Sequence, residues 1–257
     1  MSPPEALALA SLAATAASRP RARQDAWERV GVPRRRGLLL TAEHASNRVP
    51  GPWRLRPADR LLLGTHWGYD IGAFHLLEGL CHSLPASAVA SRFSRLLIDP
   101  NRAPDDPSAL LRRTPDGAPT FNRRADLSAR VERFHKPYHG AIDATIRAWA
   151  PRFLLSVHTF TPSLRGVARP MHAGVLFDRY DDLALRLVEL MNEEGLITTP
   201  NEPYSGKDGL IYSAARHGAE HALPYLEVEV RQDLLHNRHL AHHTAARVAR
   251  ALTRLGV

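Results

Sequence analysis

RGLLLTAEHASNRVP, residues 36–50, decides how the rest of the 257-residue chain is read. Residues 37–42 form a short apolar run that stops at Glu43 and His44, and a turn-rich Ser46-Asn47-Arg48 follows. An apolar run of this length between polar boundaries has the pattern of a buried strand in a parallel sheet. Ligands of open α/β sheets sit just beyond the carboxyl ends of such strands. A strand that delivers His44 there, beside Glu43 and Asn47, offers the groups of a metal or catalytic centre. The same residues also suit a strand that simply ends in surface polar groups, so the other segments must decide.

Working outward, residues 153–157 form a second buried apolar run, ending at His158, and residues 173–177 a third, followed by a helix over 181–194. Residues 225–230 alternate, which places Glu227 and Glu229 on one strand face. Ile71, Phe74, Leu77 and Leu80 make a helical stripe over 71–84. Residues 86–90 and 95–98 read as short strands, and the Pro-, Asp- and Arg-rich 102–122 as a long surface loop. A long helix is expected over 127–149, interrupted or kinked at Pro137. A polar loop at 201–208, a short helix at 209–217 and a closing helix at 239–255 complete the order. Strands alternating with helices predict an α/β sandwich around a mainly parallel sheet. Residues 1–33, with an Ala/Leu-rich stretch at 6–17, read as an N-terminal extension to a single domain over 34–257.

Composition narrows the function. Hydrophobic residues make up 44% and charged residues 23% of the chain, the balance of a soluble globular protein. One cysteine, Cys81, excludes an internal disulfide framework and a Cys-rich zinc site. The formal charge of +8 raises nucleic-acid binding, but the arginines are scattered among acidic residues and no basic motif interleaved with aromatics is present. An Arg-rich balance suits small anionic substrates instead. No basic region precedes the Ala-rich stretch and no apolar span reaches membrane length, so a cytoplasmic location is expected. Gly-rich phosphate loops and a Gly-x-Ser-x-Gly elbow are both missing.

Four polar clusters fall at or after strand ends: residues 43–47, Asp99-Pro100-Asn101-Arg102, His158-Thr159-Phe160-Thr161, and Glu229-Val230-Arg231. Two histidines, an acidic residue on a third strand and an arginine suit a catalytic zinc site, which uses about three protein ligands, with a carboxylate nearby to move protons. Arg102 or Arg231 is placed to clamp a substrate carboxylate.

The chain resembles the N-formylglutamate amidohydrolase family in EHASNRVP (43–50), HWGYDIGA (66–73), SRLLIDPNR (94–102), KPYH (136–139), VHTF (157–160) and EVRQDL (229–234). That family is itself similar to the zinc carboxypeptidases and their phosphorylase/hydrolase-like fold, which implies a three-layer α/β/α sandwich on a mixed, mainly parallel sheet. The carboxypeptidase H-x-x-E pair falls on His44 and Asn47, D-x-N-R on Asp99 to Arg102, H-S-Y on His158-Thr159-Phe160, and E-L-R on Glu229-Val230-Arg231. Carried over, the resemblance implies that His44 and His158 hold Zn2+, that Glu229 is the general base and later the acid, and that Asn101 and Arg102, with Arg95 as a second cation, recognise a carboxylate. Asn47 stands where the carboxypeptidases have a glutamate ligand. Either Asn47 ligates through its amide oxygen, or Asp70, and after it Glu43, supplies the third position. The implied activity is hydrolysis of a small anionic N-acyl amino acid such as N-formyl-L-glutamate. The alternatives are another N-acyl amino acid deacylase, a carboxypeptidase, or a non-catalytic binder of small carboxylates. Asp70 has a second expected role, capping the helix that begins near Ile71. Glu227 is expected to pair with an arginine, and the histidines of the 236–243 segment to be solvated.

Overall fold

A computed structural model describes residues 25–114 and 117–257 of the chain. The Ala/Leu-rich stretch at 6–17 lies outside the described residues. The strands are β1 (Trp27–Gly31), β2 (Leu38–Ala42), β3 (Ala86–Ser91), β4 (Phe153–Phe160), β5 (Ser163–Leu164), β6 (Val167–Ala168), β7 (Ala173–Leu176), β8 (Thr198–Pro200) and β9 (Tyr225–Arg231). The helices are α1 (Pro57–Leu63), α2 (Ala73–Ser83), α3 (Leu127–Arg130), α4 (Lys136–Trp149), α5 (Asp181–Glu193), α6 (Tyr212–His221) and α7 (Arg238–Leu255).

Seven strands form one sheet in the order β1-β3-β2-β4-β9-β7-β8. Its centre, β3-β2-β4-β9, is parallel; β1 runs antiparallel to β3 and β7 antiparallel to β9, so the sheet is mixed as expected. All five residues of β2 and all eight of β4 are buried, because helices cover both faces of these central strands. Alternation sorts their side chains. Leu38, Leu40, Phe153, Leu155, Val157, Leu226, Val228 and Val230 join one core with residues of α2, α5 and α7. Leu39, Leu154 and Tyr225 join a second core with residues of α4 and α6. Thr41, Ser156, His158, Glu227 and Glu229 share the parity of this second face. The three-layer α/β/α sandwich follows from those two covered faces.

Three departures from the expected elements have local causes. Residues 95–98 form turns rather than a strand: Ser94 receives the Leu96 and Leu97 amides, while Asn122 and Arg130 side chains donate to the Leu96 and Leu97 carbonyls. Side chains thereby take the backbone groups that a ladder would have used. The interruption expected at Pro137 lies one turn earlier, where Val131–His135 is a π-turn between α3 and α4. Pro137 has no N–H to give the carbonyl four residues back, and its ring crowds that carbonyl, so the ladder widens ahead of it. Within the segment read as an extension, Trp27–Gly31 pairs with β3 from Ser87 to Ser91. Alternation is weak in WERVG, and that concealed the strand.

Candidate metal and substrate site

The site is built at the carboxyl ends of β2, β4 and β9. β4 and β9 are parallel and in register with Ser156 opposite Glu227 and His158 opposite Glu229, which brings three functional groups to one face. His44 follows β2 directly, and its carbonyl accepts the Asp70 amide at 3.0 Å, drawing the 64–72 loop over the strand end. Gly72 then starts α2 at φ +87°, where an added Cβ would come within 2.5 Å of Leu235 Cβ. Only glycine turns the chain there without strain. Asp70 makes no cap to α2; its side chain turns inward.

The two histidines are mounted alike. His44 Nε2 lies 2.7 Å from Asp99 Oδ1, and His158 Nε2 lies 3.1 Å from Glu43 Oε2. Their Nδ1 atoms both face Asp70, at 3.4 Å from Oδ1 for His44 and 2.9 Å from Oδ2 for His158. A carboxylate behind each imidazole fixes which nitrogen carries hydrogen and leaves the other for a ligand. Glu43 is held in turn by Tyr138 Oη (3.0 Å) and Ser156 Oγ (2.7 Å). Asp99 pairs with Arg95 and accepts the Asn101 amide.

Charge is unevenly matched here. Glu43, Asp70, Asp99, Glu227 and Glu229 are all buried, and Arg95 and Arg102 are the permanent cations acting on Asp99. Burial opposes the ionised forms of Glu43 and Asp70, but the hydrogen bonds and positive charge of His158, joined by His44 at Asp70, outweigh it and hold both carboxyls well below the usual range. His158 keeps its proton well above the ordinary histidine range: burial resists this, but Glu227, Asp70 and Glu43 prevail. Burial beside other carboxylates pushes Glu227 up to about 6 and Glu229 up to about 8. Two buried atoms, His44 Nδ1 and Glu229 Oε2, have no hydrogen-bond partner. Each such orphan costs about 1–3 kcal/mol, more for a charged group.

These groups open into a cavity of about 570 Å3, lined by His66, Trp67, Phe160, Leu164, Arg165, Leu176, Tyr204 and Leu210 besides the polar residues above. The volume suits a small molecule. Arg102 lines it with a guanidinium that makes no hydrogen bond or ion pair among the described residues. Burial, followed by the charge of Arg95, lowers the pKa of His66 at the wall.

Residues 36–236 match the family model described as N-formylglutamate amidohydrolase. This chain belongs to the N-formylglutamate amidohydrolase family. Among solved structures it is similar to a gene product of Agrobacterium tumefaciens, at TM-score 0.79 and 26% identity over 92% of this chain and 98% of that one. It is also similar to the N-formylglutamate amidohydrolase of Ralstonia eutropha, at TM-score 0.66 and 20% identity over 91% of this chain and 100% of that one. A comparison with curated protein sequences finds no match. The chain is thus an amidohydrolase acting on carbon–nitrogen bonds. No helix among the described residues is long and apolar enough to cross a membrane.

Within this amidohydrolase, ligand-type atoms of His44, Asp70 and His158 lie within 4.8 Å of one another, as do those of His158, Glu227 and Glu229. Asn47 does not join them. It is exposed, whereas Asp70 is buried and faces both imidazoles. Arg231 is also away from the cavity: it donates to the carbonyls of Arg169, Pro170 and Met171 and pairs with Asp233, pinning the segment before β7. Asn101 lines the cavity but spends its amide on Leu210 O and the Ser213 amide. Arg95 lines it as well, bound to Asp99 and 3.6 Å from Asp70. Glu227 pairs with no arginine among the described residues; it faces His158 Nε2 at 3.5 Å and Asn101 Nδ2 at 3.4 Å. Asp99 was not expected as a histidine's partner, though its place at the head of the D-x-N-R motif was a signal. The histidines at 236, 239 and 243 are exposed as expected, but His242 is half-buried with its ring stacked on His82.

Proposed function

We propose that this chain is a metal-dependent hydrolase of the amide bond in small N-acyl amino acids, with N-formyl-L-glutamate, giving formate and glutamate, as its substrate. One observation carries the reading: two imidazole Nδ1 atoms converge on Asp70, each with its Nε2 held by a separate carboxylate. The orphaned His44 Nδ1 and the excess of buried carboxylates fit a divalent cation. His44, His158 and Asp70 would hold zinc, three ligands being the complement of catalytic sites. A bound ion supplies Lewis acidity toward water and the acyl carbonyl.

The chain's own residues divide the rest of the work. Glu229, with a free Oε2 at the cavity, takes the proton of the attacking water and returns it to the leaving nitrogen. Its raised pKa suits a carboxyl that both accepts and gives a proton near neutrality. Arg102 binds a substrate carboxylate through two parallel hydrogen bonds. Arg95 adds positive charge where the oxyanion develops. Trp67, Phe160 and Leu176 keep bulk water from the scissile bond.

The deciding experiment measures formate release from N-formylglutamate, beside N-acetyl amino acids and dipeptides, with zinc content determined on the same sample. Formate release that a chelator abolishes and zinc restores is expected. Cleavage of dipeptides alone would transfer the reading to a carboxypeptidase. Binding of glutamate derivatives with no turnover in zinc-loaded protein would make it a carboxylate-binding relative.

A further inference from the structure

A second group of ligand-type side chains lies apart from the cavity, between α4 and α6. Asp143 Oδ1, from α4, is 2.9 Å from both His217 Nδ1 and His221 Nε2. His217 and His221 are one turn apart on α6, so their rings share a face, and Glu220 sits between them in sequence. Ligand atoms of all four residues lie within 4.8 Å of one another.

The proton count around His217 is the unusual feature. His139 is buried, and its Nε2 lies 3.0 Å from the Pro100 carbonyl, which only accepts; that nitrogen therefore carries hydrogen. His139 pairs with no carboxylate among the described residues, so its Nδ1 is left as a lone pair. That lone pair meets His217 Nε2 at 2.9 Å, which makes His217 the donor. A singly protonated His217, with no exposed surface, then turns the lone pair of Nδ1 toward a carboxylate oxygen 2.9 Å away. Two acceptors at that distance repel unless a proton or a cation lies between them. A proton answers one such contact. A metal ion answers those of His217, His221 and Asp143 together.

We propose that Asp143, His217, Glu220 and His221 form a second divalent-metal site, of the zinc class, that fastens α4 to α6. Imidazole and carboxylate donors suit zinc, and four protein ligands close its coordination sphere, as in a structural site. His139 is the outer partner that sets the orientation of His217. Arg216, bonded to both Glu220 oxygens at 3.0 and 3.2 Å, gives up Glu220 when the cation binds, and its 3.4 Å contact to the other Asp143 oxygen persists. Through His139 the site reaches Pro100, next to Asp99, so it braces the loop that carries Asp99 and Arg102.

The test is zinc retained per full-length chain after loading and dialysis, with the shift in Tm on adding zinc, for the wild type, Asp70→Asn, His221→Gln and the double variant. Wild type is expected to retain about one equivalent more than His221→Gln. Asp70→Asn keeps a zinc-dependent rise in Tm that the double variant loses. Equal zinc in wild type and His221→Gln, or the same rise in Tm with and without His221, overturns the proposal and leaves an imidazolium–carboxylate cluster. Should His221→Gln fail to fold, Glu220→Gln, at an exposed helix position, is read the same way: weakened retention supports the site and unchanged retention overturns it.

Discussion

Glu229 stands directly opposite His158 across the β4–β9 pair, and the two side chains leave the same face of the sheet with opposite degrees of freedom. His158 is within 3.5 Å of three carboxylates, those of Glu43, Asp70 and Glu227. Glu229 keeps one oxygen with no hydrogen-bond partner among the described residues. A group fixed on every side suits a ligand, and a group with a free oxygen suits proton transfer.

Glu229→Gln should therefore lower kcat by about 10²–10⁴-fold, the range for loss of a general acid–base group. Zinc content should stay at the wild-type level, because Glu229 is not among the three residues assigned to the ion. Steady-state kinetics with metal analysis on the same preparation checks both parts. An undiminished kcat would remove Glu229 from the proton path.

The third ligand is tested by contrast. Asp70→Asn should lose zinc on dialysis while Asn47→Ala retains it, since Asn47 is exposed and Asp70 lies between both imidazoles. Asp99→Asn, which alters the support behind His44 and the pair with Arg95, should weaken zinc affinity by about 10–100-fold. Zinc loss in Asn47→Ala would restore the H-x-x-E register.

Arg102→Met should raise KM for N-formylglutamate with little change in kcat. A charge-assisted pair contributes about 1.5–3 kcal/mol, or roughly 10–150-fold in KM when it acts equally on ground and transition states. Arg231→Met should leave KM alone and lower Tm, because it removes the carbonyl contacts to residues 169–171.

Acid should destabilise the fold through His139. Burial holds its imidazole well below the ordinary 6.5, with neighbouring His135 and Arg216 adding to the effect. The unfolded chain takes up a proton near that ordinary value and the folded chain does not. This contribution is thus full above about pH 6.5 and is lost as pH falls below it, with a limiting slope of about 1.4 kcal/mol per pH unit. Urea unfolding of chelator-treated protein between pH 7 and 5 should show a steeper loss in wild type than in His139→Gln. Parallel slopes would refute it.

Much of this architecture was legible because burial leaves a simple mark. LLLTA and FLLSVHTF are covered on both faces and read as apolar runs; YLEVEVR alternates because one face meets the core and the other the cavity. Residues 95–98 carry the same apolar mark without being a strand, since Asn122 and Arg130 supply the bonds that a neighbouring strand would have made. His44, His158 and Glu229 could be picked out at strand ends. Asp70, and after it Glu43, could be named as ligand candidates, but the carboxylates that stand behind the imidazoles could not, because that depends on which nitrogen each carboxylate meets across 55 to 115 residues of chain. The H-x-x-E spacing pointed to Asn47, which is exposed, while Asp70 is buried beside both imidazoles.

The two rims of the sheet are guarded differently. On one side β8 is three residues long and ends in Pro200, a poor template for another strand. On the other, the described strand that shields β3 is β1, a ribbon of chain that precedes the family-matched region. A shortened form cut at residue 34 would keep the histidines and carboxylates of the site yet lay bare a row of unpaired main-chain amides and carbonyls along β3. Its failing would be self-association through that rim, a fault of handling in solution rather than of chemistry.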